Sequence, residues 1–211
     1  NESIVSWKLQ VTPNNTNPNA LVIALQWEGE GKVSQQGFSL THSLNGNFSQ
    51  LQQLIPQLPA GQSVSILSKA NLRGSQSAGE TSIAIQSLEN RIGQGNQTWL
   101  TLSSSTPWNV RIKQEQAIPE IENLNLDLIL QNLPLQLVTA FVPGLEITTD
   151  NTAGHFQLRS QGKGWILENP APLTLQRLSL KNQGKAMLNQ VDLSLNLRGQ
   201  LDAANRVSVY L

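Results

Sequence analysis

The chain has 211 residues, with 14 basic and 14 acidic side chains and a formal net charge of zero. Charged residues make up 13% of it, about half of the roughly 25% usual in soluble domains. Amides fill the gap, with 23 Gln and 20 Asn, and a chain without basic excess excludes a partner held by phosphate neutralisation, so no nucleic acid is expected.

The elements, taken in chain order, follow a period of two. Val5, Trp7, Leu9 and Val11 alternate with polar residues, and Pro13 to Asn19 forms a polar turn. Leu21, Ile23, Leu25 and Trp27 follow, then Phe38, Leu40, His42 and Leu44. Phe48, Leu51, Leu54, Ile55 and Leu58 recur at helical spacing, which predicts a short helix with Asn47 as N-cap and Pro56 and Pro59 as stops. Strand alternation resumes at Val64 and Ile66, Thr81 to Ile85, and Trp108 to Ile112. Gly93 to Gly95 reads as a hairpin turn. The clearest ladder is Leu124, Leu126, Leu128 and Leu130. A second short helix is predicted over Leu135, Val138, Phe141 and Val142, stopped by Pro143-Gly144. Gly162 to Gly164 marks another hairpin. Between Leu175 and Leu178 the phase slips by one, which predicts a bulge, and Val191, Leu193, Leu195 and Leu197 form the last long ladder.

Strict alternation means strands with one apolar and one wet face. The chain is expected to be mostly β and to form a single segment over 1–211. An internal repeat is expected to relate about 48–90 to 132–180, since LQQLIPQLP precedes LQLVTAFVP by 84 residues and a Leu-Arg pair follows each, Leu72-Arg73 and Leu158-Arg159. The chain begins at Asn1 and ends on the strand-like Val207 to Leu211, which reads as a segment of a longer protein whose membrane anchor lies elsewhere.

Catalytic clusters are scarce. Cys is absent, which removes disulfides, thiolate chemistry and iron–sulfur centres. His42 and His155 show no second histidine or carboxylate at ligand spacing. Glu28 with Glu30 and Glu120 with Glu122 each share one side of a strand, a geometry open to a metal but read as solvated edge charges. Gly29-Glu30-Gly31 opens no helix and is no phosphate loop. No active site, cofactor or metal is expected.

The apolar face is the remaining feature. Leu dominates it, with 33 Leu against 11 Val, although β-branched residues suit strands better. Such a face closes against a second sheet in a sandwich, the commoner solution on period alone, or lines a curled sheet left open to an acyl chain.

The run NLDLILQNLPLQLVTAFVPGLEITTDNTAGHFQLRSQGKGWIL resembles the bacterial AsmA-like family, of the TamB, YdbH and YhdP type. The likeness rests on the ladder Leu124 to Leu130, on Leu133-Pro134-Leu135, on Pro143-Gly144-Leu145 and on Ala153-Gly154. It covers residues from about 48 to the end. It implies a curled antiparallel sheet, a β-taco with a hydrophobic groove and two short helices, the closed β-sandwich being the alternative. It further implies a periplasmic protein tethered to the inner membrane, which holds or conducts phospholipid or another acyl-chain ligand without catalysis. Leu124, Leu126, Leu128, Leu130, Val191, Leu193, Leu195 and Leu197 are then the groove-lining residues. A periplasmic subunit like the type II secretion N protein and an extracellular adhesion module with tryptophans as sugar platforms are the alternatives.

Overall fold

The computed structural model describes residues 2–13, 20–53, 58, 61–77, 79–113, 120–139, 142–162, 164–201 and 207–210. Strands account for most of the described residues. The first six are β1 (Ser3–Val11), β2 (Val22–Ser34), β3 (Gly37–Ser49), β4 (Ser63–Ser77), β5 (Glu80–Gln94) and β6 (Gln97–Ser104). Then come β7 (Trp108–Lys113), β8 (Glu120–Glu122), β9 (Asn125–Gln131), β10 (Leu145–Thr148) and β11 (Asn151–Gln161). The last four are β12 (Gly164–Asn182), β13 (Lys185–Leu195), β14 (Arg198–Leu201) and β15 (Val207–Tyr210).

All fifteen join one antiparallel sheet, in the order β1-β2-β3-β4-β5-β6-β9-β11-β12-β14-β15. β7 pairs with β5 and carries β8, while β10 and β13 pair with β12. The sheet is curled and does not close into a barrel, so the sandwich alternative is not the fold adopted.

The hairpin turns fall where glycine allows them: Gly95 (φ 56) turns β5 into β6, and Gly162 (φ 59) turns β11 towards β12. Such positive φ values strain residues with a Cβ. The phase slip at Leu175 and Leu178 is a register shift in the β12–β13 ladder, with Arg177 at φ 50. One chain residue is thereby left out of the pairing, and Leu178 returns to the face of Leu175.

The two predicted helices shrink to single turns. The first is a 3-10 turn at Leu51–Gln53, and the second, α1, spans Gln136–Thr139. Asn47 and Phe48 are not a helix start but the end of β3, because the alternation Phe38, Leu40, His42, Leu44 runs on through Gly46 to Phe48 and the ladders on both sides hold it. Leu54, Ile55 and Phe141 lie outside the described residues, as does most of the turn after Pro13.

Two long strands fork. The first half of β5, Glu80 to Ile85, pairs with β7, and its second half, Leu88 to Gln94, pairs with β6. β12 does the same: Trp165 to Leu167 pair with β14, and Leu173 to Asn182 with β13. In both, the strand following the hairpin takes the far half and the next strand returns to the near half. The two forked strands begin within 48–90 and 132–180, the stretches expected to be related by a repeat.

Candidate functional site: an open apolar face

Directly opposed residues in antiparallel strands share a face, so the registers can be followed across the sheet. One row runs Trp7, Gly29, His42, Ala70, Leu88, Ser104, Leu126, Leu158, Leu167, Gly199, Val209 across eleven strands. A second runs Leu9, Trp27, Leu44, Ser68, Asn90, Leu102, Leu128, Phe156. A third runs Val11, Leu25, Gly46, Ile66, Ile92, Leu100, Leu130, Gly154. The rows are neighbours on one face. Every Lys, Arg, Asp and Glu that a ladder pairs in β1–β11 lies on the other face.

This face has little covering. The accessible surface is 13528 Å², against about 9,700 Å² for a folded monomer of 23.1 kDa by the usual scaling. The buried apolar side chains are few among the described residues: Leu58, Ile85, Trp99, Leu124, Ile166 and Leu178. Most of the ladder residues of β4, β5, β6 and β9 are half-buried. Shelter is thin at both margins of the sheet, where Val5 of β1 is 61% exposed and Val209 of β15 is 67% exposed.

Two glycines let aromatic rings lie flat on this face. A Cβ at Gly29 would overlap the Trp7 indole, and one at Gly74 would overlap the Phe38 ring, each the direct cross-strand partner. Trp7 meets Trp27 edge-on, with ring centroids 6.0 Å apart.

The expected groove residues distribute unevenly. Leu126, Leu128 and Leu130 lie in the three rows just traced, half-buried. Leu124 precedes β9 and is buried at 5% exposure, its carbonyl accepting the Ser160 N–H at 2.9 Å. Val191, Leu193 and Leu195 face Leu178, Leu175 and Leu173 of β12. Leu197 has left that ladder: it lies between β13 and β14, and its N–H donates to the Asn169 side-chain carbonyl. β11 and β12 separate the two ladders, about 14 Å at strand spacing.

The opposite face holds the polar chemistry. His155 does have a carboxylate, which spacing along one strand could not show: Asp127 on the adjacent β9, with His155 Nε2 2.7 Å from Oδ1. Gln157, directly across from Asp127, donates to the same oxygen at 3.1 Å. This is a cross-strand cluster of an imidazole, a carboxylate and an amide. No group of three or more His, Cys, Asp or Glu that could hold a metal occurs among the described residues. Glu30 pairs with Lys32 at 3.1 Å, Glu122 with Arg111 at 3.0 Å and Glu120 with Lys113 at 3.0 Å. Glu120 and Glu122 stand on β8, an edge strand as expected, whereas Glu28 and Glu30 stand on β2, which is paired on both sides. A shallow depression of 430 Å³ also opens among Gln10, Gln26, Asn45, Asn47 and Arg91.

Compared with known proteins, the chain matches no family model, no curated protein and no solved structure.

Proposed function

We propose that the apolar face is a groove for the acyl chains of phospholipid or a similar amphiphile, and that the protein acts without catalysis, as one section of a lipid path between the two membranes of a diderm bacterium. The observation that carries this reading is a mainly apolar face, free of ladder-paired charge from β1 to β11, that no second layer of described residues covers. A soluble protein rarely leaves so large an apolar surface without a partner. Each methylene fully withdrawn from water contributes about 0.8 kcal/mol, so long chains bind such a face without a charged anchor. The AsmA-like resemblance supports a periplasmic location with a tether to the inner membrane. An adhesion module with tryptophan sugar platforms draws less support, because Trp7, Trp27, Trp108 and Trp165 share the apolar face while the amides concentrate on the other.

The test is native mass spectrometry of the chain purified from a diderm host without detergent. Phospholipid masses released on activation are the expected result. A chain that emerges lipid-free and takes up none from vesicles overturns the proposal.

A further inference from the structure

The apolar face has a polar island away from its outer strands. Ser68 and Asn90 oppose each other across β4 and β5, and His42 on β3 holds Ser68, with Nε2 and Oγ 3.1 Å apart. All three are half-buried. They interrupt an otherwise apolar row: Leu9, Trp27 and Leu44 lie on one side of the Ser68–Asn90 pair, and Leu102, Leu128 and Phe156 on the other.

Polar side chains on an apolar surface cost stability unless they find partners. His42 and Ser68 satisfy one another, but the Asn90 amide has no hydrogen-bond partner among the described residues. With His42 donating through Nε2, the Ser68 hydroxyl is free to donate onward, so two donors, Ser68 O–H and Asn90 N–H, stand side by side. No Lys or Arg is paired onto this face in β1–β11. An anionic group placed here would lose hydration without gaining a counter-charge. The acceptor that fits is uncharged.

We propose that His42, Ser68 and Asn90 form an ester-binding subsite: an uncharged acyl-ester carbonyl of a diacyl amphiphile accepts from Ser68 and Asn90 while its chains lie on the apolar side chains to either side. This rests on the groove reading and names the part of the ligand the groove recognises. From Asn90 the row crosses β6 and β9 to reach β11, about 14 Å of apolar floor at strand spacing, and from Ser68 it crosses β3 and β2 to reach β1 over a similar span.

The experiment offers the chain equimolar vesicle lipids of equal chain length and headgroup, a diester phosphatidylcholine and its diether analogue, which lacks the carbonyls. Bound lipid is read by native mass spectrometry. The wild-type chain should load the diester about 5-fold over the diether, as one or two neutral hydrogen bonds provide. The Ser68→Ala/Asn90→Leu double variant should load both equally, the diester falling to the level of the diether. Equal loading by the wild type, or a preference unchanged in the variant, overturns the subsite and leaves the groove standing. Loading of neither lipid by the wild type overturns the groove itself. Should the double variant not fold, as read by urea titration, Ser68→Ala alone carries the same comparison.

Discussion

Leu195 and Leu178 offer a paired test of whether the apolar face is open, because both belong to the β12–β13 ladder and differ in shelter. Leu195, opposite Leu173, is 41% exposed, whereas Leu178, opposite Val191, is 6% exposed. Full burial of a leucine contributes about 1.5–3 kcal/mol. At its exposure Leu195 holds roughly 60% of that, so Leu195→Asp should cost about 1–2 kcal/mol, with the carboxylate still hydrated. Leu178→Asp removes nearly all of the transfer term and leaves a cavity, about 2–5 kcal/mol together. It also buries an unpaired carboxylate at several kcal/mol more. That total rivals the roughly 5–15 kcal/mol by which domains are stable. Urea titration followed by tryptophan fluorescence should find Leu195→Asp folded with a lowered midpoint, and Leu178→Asp unfolded. Native mass spectrometry should find the folded Leu195→Asp chain depleted of lipid. If Leu195→Asp unfolds as completely as Leu178→Asp, the face is sealed and the reasoning fails. If it folds with an unchanged lipid load, β13 does not line the groove.

Further outcomes follow from the two faces. Asp127→Ala removes the acceptor shared by His155 and Gln157 and should lower stability by about 1–3 kcal/mol in urea titration. Its lipid load should match the wild type, since the cluster lies on the other face; a lipid-free Asp127→Ala chain would contradict that assignment. Gly29→Ala places a Cβ against the Trp7 ring and the Thr41 carbonyl, so it should cost about 1–3 kcal/mol as overpacking and shift the tryptophan emission. An unchanged spectrum and midpoint would show that the indole does not rest on Gly29. Raising salt to about 1 M should move the urea midpoint little, because the ion pairs Lys32–Glu30 and Arg111–Glu122 are substantially exposed and such pairs contribute about 0–1 kcal/mol each.

The ladders were readable from sequence because alternation is local: Leu126, Leu128 and Leu130 face one way whatever pairs with them. The bulge at Arg177 was readable for the same reason, since a skipped residue shifts the phase of the leucines around it. The helices misled because Phe48, Leu51 and Leu58 fit helical spacing, while Phe48 equally continues the even positions of β3, and two neighbouring ladders outweigh a single turn. Partners across strands were beyond reach. Asp127 meets His155 from 28 residues away, and Asn90 meets Ser68 only through the β4–β5 register. Alternation is also the same in a sandwich and in an open sheet. What distinguishes them is whether a second layer lies over the leucines, and no residue of the ladder encodes that.

The forks in β5 and β12 have a consequence for colloidal behaviour. An unforked sheet has two lateral borders; here, among the described residues, β1, β8, β10, β13 and β15 each have a single partner strand, so five borders carry N–H and C=O groups that no described strand pairs. Three are short, with three or four residues in β8, β10 and β15, and Glu120, Glu122 and Glu146 put charge on the first two. The nine residues of β1 and eleven of β13 are long enough to template another strand. When the protein is concentrated, those two margins are where chains would begin to stack into a longer sheet.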